Sequence, residues 1–361
     1  MRILVAMSGG VDSAATAGLL AEAGHEVIGI TLQLYQSGPR RHRGACCAGE
    51  DIHDARRVAD HLGIPHYVID AEARFRAAVI EDFAASYARG ETPVPCVRCN
   101  QTVKFGDLSA LARELGAEAL ATGHYVRRTD GAEGPEMHRA RDLVRDQSWF
   151  LFALTREQLA LARFPLGEMP DKAAVRAVAA RLGLPVAAKP DSQDLCFAPD
   201  GKHAEVAGRL KPEALAEGEI VARDGRVLER HQGLARYTVG QARRLGRAAF
   251  DGGERQVVVA LDAGKRRVVV GSRGSGTRVV ALGEINWLIP APEAPLRAAV
   301  KLRARETPQP ATIFPDRGEL LLDFPALPAP GQAAVFYAGS RVLGGGFIRR
   351  AVASGCKPDA A

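Results

Sequence analysis

The stretch Ile3-Leu4-Val5-Ala6-Met7-Ser8-Gly9-Gly10-Val11-Asp12-Ser13 decides the fold of this chain. Its first five residues have the length and β-branching of a buried parallel strand. The residues after Ser13 follow a helical pattern that Gly24 closes. A strand, a small-residue turn and a helix place backbone N–H groups at the positive end of the helix, where an anion can bind. We therefore predict an anion-binding loop at residues 8–13.

The residue types in this loop suit a bound anion such as phosphate. Gly9 and Gly10 let the backbone approach it closely because no Cβ intervenes, and Ser8 and Ser13 add hydroxyl donors. Asp12 would repel phosphate unless a cation bridged the two, so we expect Asp12 to bind Mg²⁺ held by the phosphates. The spacing matches neither a Walker A loop nor Gly-x-Gly-x-x-Gly. An ordinary glycine-rich turn is the alternative interpretation.

Strand and helix patterns alternate through the first half of the chain. Strands are predicted at residues 25–32, 65–70 and 119–122, and helices at 51–62, 72–89, 101–115 and 170–182. This alternation predicts an α/β fold, a parallel sheet with helices on both faces. Ligands of such sheets bind beyond the carboxyl ends of the strands, where the loop at residues 8–13 falls.

The composition changes near residue 200, after which short strands and turns dominate. The spacing of the last strands predicts a small β-barrel. We expect a catalytic domain that carries the anion-binding loop at 1–200, a central small β-rich domain at 201–276, a C-terminal β-barrel at 277–352 and a tail at 353–361.

The bulk properties permit a nucleic-acid partner without identifying one. The net charge is +6 and the isoelectric point is about 9.1, which suits a polyanion but is weak evidence alone. No apolar run approaches the ~20 residues of a membrane span, and the chain opens directly on a core strand. We therefore expect no signal peptide, no membrane partner and a cytoplasmic location.

Six cysteines occur in the 361 residues. In a reducing cytosol, clustered thiols indicate catalysis or metal binding rather than structural disulfides. Pro93 and Pro95 are expected to keep the segment around Cys96 and Cys99 out of a helix, so that both thiols lie just before a helix N-terminus that favours thiolate. Cys196 lies in a polar loop. The adjacent Cys46 and Cys47 are interpreted as loop residues with minor redox potential, and Cys356 as incidental; the basic cluster at residues 40–43 is either an RNA contact or a solvated loop.

The hexapeptide Ser-Gly-Gly-Val-Asp-Ser after an N-terminal strand resembles the PP-loop of the ATP pyrophosphatase superfamily. The resemblance implies that residues 1–200 form a PP-loop ATP-binding catalytic domain. Further segments, in chain order, together resemble the tRNA-specific 2-thiouridylase (MnmA) family: Cys96-Val97-Arg98-Cys99-Asn100, Ala121-Thr122-Gly123-His124-Tyr125, Asp146-Gln147-Ser148, Asp191-Ser192-Gln193-Asp194-Leu195-Cys196-Phe197, Tyr237-Thr238-Val239-Gly240-Gln241 and Pro330-Gly331-Gln332. The match runs to about residue 348.

The resemblance implies an ATP-dependent sulfurtransferase that thiolates C2 of the wobble uridine of tRNA, by adenylating O2 and then transferring sulfur from a cysteine persulfide. It implies AMP and pyrophosphate as products, the anticodon stem-loop as the RNA partner, and a protein that donates sulfur. Cys99 would be the nucleophile and Cys196 the persulfide carrier. The nucleotide would contact Ala6, Met7, Ser8, Gly9, Gly10, Val11, Asp12, Ser13, Leu32 and Gly123. The tRNA would contact His124, Arg145, Asp146, Gln147, Arg303, Ala304 and Gln332.

One position departs from the family pattern. Many members have Asp where this chain has Cys96, and a thiol is the poorer general base unless its pKa is lowered. Cys96 is then an auxiliary thiol, or Cys96, Cys99 and Cys196 hold a [4Fe–4S] cluster. Two other functions stay open: a PP-loop enzyme that amidates or ligates a small molecule, and an RNA-binding protein with structural zinc.

Overall fold

The computed structural model describes residues 1–35, 49–191 and 194–350, and the statements below concern these ranges. The basic cluster at 40–43, Cys46, Cys47 and Cys356 lie outside the described residues. Within the described part of the chain, no helix is long and apolar enough to cross a membrane.

The strands are β1 Arg2–Ala6, β2 Glu26–Gln33, β3 His66–Asp70, β4 Ala119–Ala121, β5 Val126–Gly131, β6 Gly134–Arg139, β7 Ala162–Arg163, β8 Gly218–Ala222, β9 Val227–His231, β10 Phe250–Asp251, β11 Glu254–Arg255, β12 Val257–Asp262, β13 Arg267–Gly271, β14 Thr277–Trp287, β15 Leu296–Lys301, β16 Gln309–Phe314, β17 Glu319–Ala326, β18 Ala333–Ala338 and β19 Arg341–Ile348. The α-helices are α1 Val11–Glu22, α2 Gly49–Leu62, α3 Glu72–Phe75, α4 Glu81–Ala88, α5 Pro95–Arg98, α6 Leu108–Glu114, α7 Ser148–Leu151, α8 Arg156–Leu161, α9 Lys172–Arg181 and α10 His203–Leu210. Two π-helical segments, Arg76–Ile80 and Cys99–Asp107, continue α3 and α5.

The N-terminal domain is built on a parallel sheet in the order β3-β2-β1-β4-β7. Its central strand β1 pairs in parallel with β2 and β4, and Ile3, Leu4 and Val5 are fully buried. Strands covered by helices on both faces are apolar throughout, which explains the continuous apolar run at the start of the chain. The loop after β1 therefore opens at the carboxyl edge of the sheet, as predicted.

The C-terminal barrel has six strands in the order β14-β17-β16-β15-β18-β19, and pairing of β14 with β19 closes it. The central part of the chain forms a four-stranded sheet in the order β12-β13-β8-β9. The α/β fold class with a central β-rich unit and a terminal barrel is thereby confirmed.

Sequence reasoning missed how closely the barrel joins the N-terminal domain. The hairpin β5–β6 pairs with β19 of the barrel, Val342 lying opposite Met137. Val335 and Tyr337 of the barrel share a hydrophobic core with Trp149 of the N-terminal domain. The barrel consequently stands in direct contact with the elements that carry the candidate site.

The expectation that the prolines keep the cysteine segment out of a helix is wrong. Helix α5 begins at Pro95, which occupies its first turn, where a missing N–H costs nothing. Cys96 lies in this helix, and Cys99 opens the π-helical segment that follows. Such π segments occur often at functional sites.

Candidate active site

The loop at residues 7–10 is shaped by two close approaches. Gly9 has a φ of +72°, and a Cβ at this position would overlap the carbonyl oxygen of Asp51. A Cβ on Gly123 would stand 2.8 Å from the carbonyl carbon of Asp12. Both positions therefore require glycine for packing, and the glycines bring β4 and α2 up to the start of α1.

Hydroxyl groups fix the loop from inside. The Ser8 backbone N–H donates to Ser13 Oγ at 3.1 Å, and Ser13 Oγ donates to the Gly10 carbonyl at 3.1 Å. Helix α1 has no side-chain cap at Gly10. Its first N–H groups are thus available to an anion.

Asp12 is engaged by two groups that sequence reasoning did not identify. Lys172 Nζ lies 2.7 and 2.8 Å from the two carboxylate oxygens of Asp12, and Tyr125 Oη donates to Oδ1 at 2.7 Å. Burial and the Asp12 carboxylate raise the pKa of Tyr125, which is neutral at physiological pH. Asp12 therefore positions Lys172, a cation, beside the phosphate loop.

Asp191 continues this charged network. It accepts from Arg145 at 2.8 Å and lies 2.9 Å from Lys172 Nζ. Burial alone would raise the pKa of Asp191, but the hydrogen bonds from Lys172 and Arg145 outweigh it and lower the pKa. Two residues earlier, Lys189 Nζ donates to the Gly9 carbonyl at 3.0 Å. The polar segment at residues 189–191 thus supplies part of the wall of the loop.

A cavity of about 200 Å³ lies at the carboxyl end of β1. Of the predicted nucleotide contacts, those that line this cavity are Ala6, Met7, Ser8, Asp12, Ser13, Leu32 and Gly123. Gly9, Gly10 and Val11 belong to the same loop but not to the lining. The lining combines apolar side chains such as Leu32 and Leu108 with hydroxyl and charged groups, a combination that suits a nucleotide.

The three described cysteines meet in a second cavity of about 290 Å³. Cys96, Cys99 and Cys196 all line it; Cys96 is exposed, Cys196 half-buried and Cys99 buried. The two cavities share lining residues, namely Ser8, Leu34, Lys104, His124 and Gln147. A group bound over the phosphate loop is therefore next to the thiols.

The expectation of an activated thiolate at Cys99 is wrong for this structure. Burial raises the pKa of Cys99 to about 11, although Lys104 acts in the opposite direction. The thiol lies within the hydrophobic core and not at a solvated helix end. A thiol in apolar surroundings is held protonated.

His124 lies between the two cavities and is neutral. Burial lowers the pKa of His124 to about 3, and Lys104 adds to this effect. Its Nδ1 is 2.8 Å from Thr122 Oγ1. The imidazole is thus held in place as a hydrogen-bonding group and not as a cation.

The side chains of residues 145–147 lie in three different environments. Arg145 is partly exposed beside Asp191. The Asp146 carboxylate is buried and accepts from Arg139, the Ala140 and Ser148 N–H groups and Ser148 Oγ. Gln147 lines both cavities. The role of Asp146 visible here is to hold the turn that presents Gln147.

The remaining predicted tRNA contacts lie where the domains meet. Arg303 donates to the Val239 carbonyl of the central domain at 2.8 Å, and Ala304 follows it. Gln332 Nε2 donates to the Thr92 carbonyl at 3.0 Å, at the start of the cysteine segment. None of these three residues lines either of the two cavities.

No group of three or more His, Cys, Asp or Glu side chains that could hold a metal ion occurs among residues 1–35, 49–191 and 194–350. The cluster expectation for Cys96, Cys99 and Cys196 gains no support from their placement.

Family models cover most of the chain. A model described as a tRNA methyl transferase HUP domain matches residues 1–200, a tRNA methyl transferase PRC-barrel domain matches 208–272, and an aminomethyltransferase beta-barrel domain matches 277–348.

Curated relatives match over the full length. The tRNA-specific 2-thiouridylase MnmA of Acidiphilium cryptum is 68% identical over 96% of this chain and 100% of its own length. The protein of the same name from Gluconobacter oxydans is 62% identical over 96% of this chain and 99% of its own length. The protein of the same name from Rhodospirillum centenum is 56% identical over 99% of this chain and 94% of its own length.

A phosphate loop of the PP type, on a parallel sheet and beside a thiol cavity, defines an ATP-binding transferase that modifies tRNA. Within that class, the chain belongs to the tRNA-specific 2-thiouridylase (MnmA) family.

Proposed function

We propose that this chain uses ATP to activate O2 of the wobble uridine in tRNA and then replaces that oxygen by sulfur, giving 2-thiouridine, AMP and pyrophosphate. The observation that carries this proposal is the shared wall between the phosphate-loop cavity and the cavity lined by Cys96, Cys99 and Cys196. An amidating or ligating enzyme would not need thiols at this place.

Adenylation comes first because uracil O2 is a poor leaving group. Attack of O2 on the α-phosphorus forms the O–P bond and releases pyrophosphate, so negative charge develops on the departing phosphates. The free N–H groups at the start of α1 and the ammonium of Lys172 are placed to stabilise this charge.

Mg²⁺ is proposed to enter with ATP, held chiefly by phosphate oxygens and water. Asp12 offers one carboxylate for this role, but both of its oxygens already contact Lys172. A bound Mg²⁺ would supply charge neutralisation at the phosphates. Asp12 contributes to charge neutralisation at the phosphates in either case, as a metal ligand or as the residue that holds Lys172 in place.

Sulfur transfer follows at the thiol cavity. In our proposal, Cys196 carries a persulfide loaded by a sulfur-donor protein, and its terminal sulfur attacks C2 and expels AMP. Cys99 then gives up its proton as its sulfur attacks the Cys196 sulfur; this forms a Cys99–Cys196 disulfide and leaves the other sulfur on C2. A reductant afterwards restores both thiols. Cys96 lines the same cavity as an auxiliary thiol.

The tRNA must present the uridine with its base turned out of the anticodon stack. His124 and Gln147 lie at the junction of the two cavities and are proposed to contact the base. Arg145, Asp146, Arg303, Ala304 and Gln332 are proposed to act on the surrounding stem-loop, either directly or by holding the elements that contact it.

Mass spectrometry of tRNA nucleosides tests the proposal. The enzyme is incubated with tRNA, ATP, Mg²⁺ and a sulfur source, in wild-type form and as Cys99→Ser and Cys196→Ser. We expect 2-thiouridine at the wobble position from the wild type and none from either variant. Absence of 2-thiouridine from all three, with ATP consumed in the presence of a small amine, would instead identify an amidating enzyme. Thiolation by enzyme purified without iron would exclude the cluster route.

A further inference from the structure

Arg98, between the two cysteines of the Cys-x-x-Cys segment, is bound to the C-terminal barrel. Its Nη1 and Nη2 donate to the two carboxylate oxygens of Glu284 at 2.6 and 2.7 Å. Its Cζ lies 4.1 Å from the ring centroid of Phe347, and Asp82 approaches at 3.7 Å. A bidentate guanidinium–carboxylate pair that also stacks on a ring fixes orientation as well as distance.

Glu284 occupies an unusual backbone conformation that permits this pairing. Its φ is +50°, and it lies where the register of β14 against β19 shifts between Gly283 and Asn286. A residue other than glycine in the left-handed region costs about 1–2 kcal/mol. Such strain persists only where surrounding contacts determine it, and it is common at functional sites.

The same barrel holds the cysteine segment at a second point. The Thr92 N–H donates to the Pro330 carbonyl at 2.7 Å, and Gln332 Nε2 donates to the Thr92 carbonyl at 3.0 Å. Thr92 precedes α5, and Arg98 is the last residue of that helix. The barrel thus binds the cysteine segment at two points, one before Cys96 and one directly before Cys99.

We propose that the Arg98–Glu284 pair is a clamp by which the barrel sets the position of Cys99 in the thiol cavity. Glu284 is then a positioning residue that acts through Arg98. The inference rests on the proposed function, because it assigns the clamp to sulfur transfer. Displacing a reacting group by about 1 Å costs on the order of 100-fold in rate, so a clamp one residue from the nucleophile has a large effect on turnover.

The test compares Glu284→Gln with a matched control in the same barrel. Arg297 pairs with Asp323 in an equally bidentate manner, at 2.8 and 2.8 Å, between β15 and β17. We expect Glu284→Gln to lower kcat for thiolation by about tenfold or more, with KM for tRNA and for ATP within twofold of wild type. Asp323→Asn should leave all three constants unchanged. The kcat of Arg98→Lys should lie between those of wild type and Glu284→Gln, because lysine keeps the positive charge but cannot donate two parallel hydrogen bonds to the carboxylate.

Alkylation of Cys99 by iodoacetamide, read by peptide mass spectrometry without tRNA or ATP, reports how far the buried thiol becomes accessible, and Asp323→Asn measures the part of that change that loss of a barrel ion pair alone produces. We expect it to be faster in Glu284→Gln than in wild type and unchanged in Asp323→Asn. A kcat that stays within twofold of wild type, or that falls equally in both variants, would overturn the clamp, as would an unchanged alkylation rate. If wild type makes no 2-thiouridine, the proposed function fails, while alkylation still tests the clamp.

Discussion

Replacing Gly9 by alanine tests the geometry of the phosphate loop most sharply. An alanine there would have to hold a φ of +72° and place its Cβ on the Asp51 carbonyl oxygen. The backbone strain costs about 1–2 kcal/mol. Relief of the overlap requires the loop or α2 to move by about 1 Å, and such a displacement of a binding loop costs on the order of 100-fold in rate.

Gly24 provides the matched control, because its φ of +79° carries the same strain but a Cβ there meets nothing within 4 Å. We expect Gly9→Ala to lower kcat/KM for ATP about 100-fold, measured as AMP release in the presence of tRNA. That loss corresponds to about 2.7 kcal/mol. Gly24→Ala should lose only thermal stability. The reasoning is refuted if Gly9→Ala stays within threefold of wild type, or if Gly24→Ala loses as much activity.

Two further outcomes follow from the charges around the site. Lys172→Met leaves the Asp12 and Asp191 carboxylates without their shared cation. We therefore expect the rate of AMP formation to fall at least tenfold, a loss of about 1.4 kcal/mol that one charged hydrogen bond can account for. The control variant Lys202→Met, in which the partner Asp200 is exposed, should keep the wild-type rate, and equal rates for the two variants would contradict the role of Lys172. In wild-type enzyme, a pKa of about 11 leaves Cys99 almost entirely protonated at pH 8. Its alkylation rate should therefore be on the order of 100-fold lower than that of an ordinary exposed thiol, and it should increase tenfold per pH unit up to pH 10. A rate that reaches a plateau near pH 8 would show that burial does not set the pKa of this thiol.

The phosphate loop was predictable because its determinants are local. A strand, two glycines and a helix lie within about twenty consecutive residues, and each has its own sequence pattern. Pro95 could have been predicted as the first residue of a helix, because proline is favoured at that position. The expectation that Pro95 only excludes a helix also led to the wrong expectation for the Cys99 thiol.

The contacts made by distant residues could not be predicted. Lys172 comes 160 positions after Asp12, and Glu284 comes 186 positions after Arg98. Charged side chains on helix or strand surfaces are ordinarily solvated, so nothing local identifies Lys172 or Glu284 as a partner of these residues. The hairpin β5–β6 was missed because its strands are short and mostly polar, and its place beside β19 depends on tertiary packing.

The disulfide state of the enzyme after one turnover tests the central claim most directly, namely that Cys196 delivers the transferred sulfur and Cys99 releases it by attacking Cys196 within one cavity. Enzyme loaded with persulfide is mixed with tRNA and ATP without reductant, quenched with acid and alkylating agent, and mapped by peptide mass spectrometry. The account predicts one Cys99–Cys196 disulfide for each 2-thiouridine formed. Thiolation that leaves both thiols free, or a disulfide that joins Cys196 to Cys96 instead, would contradict it.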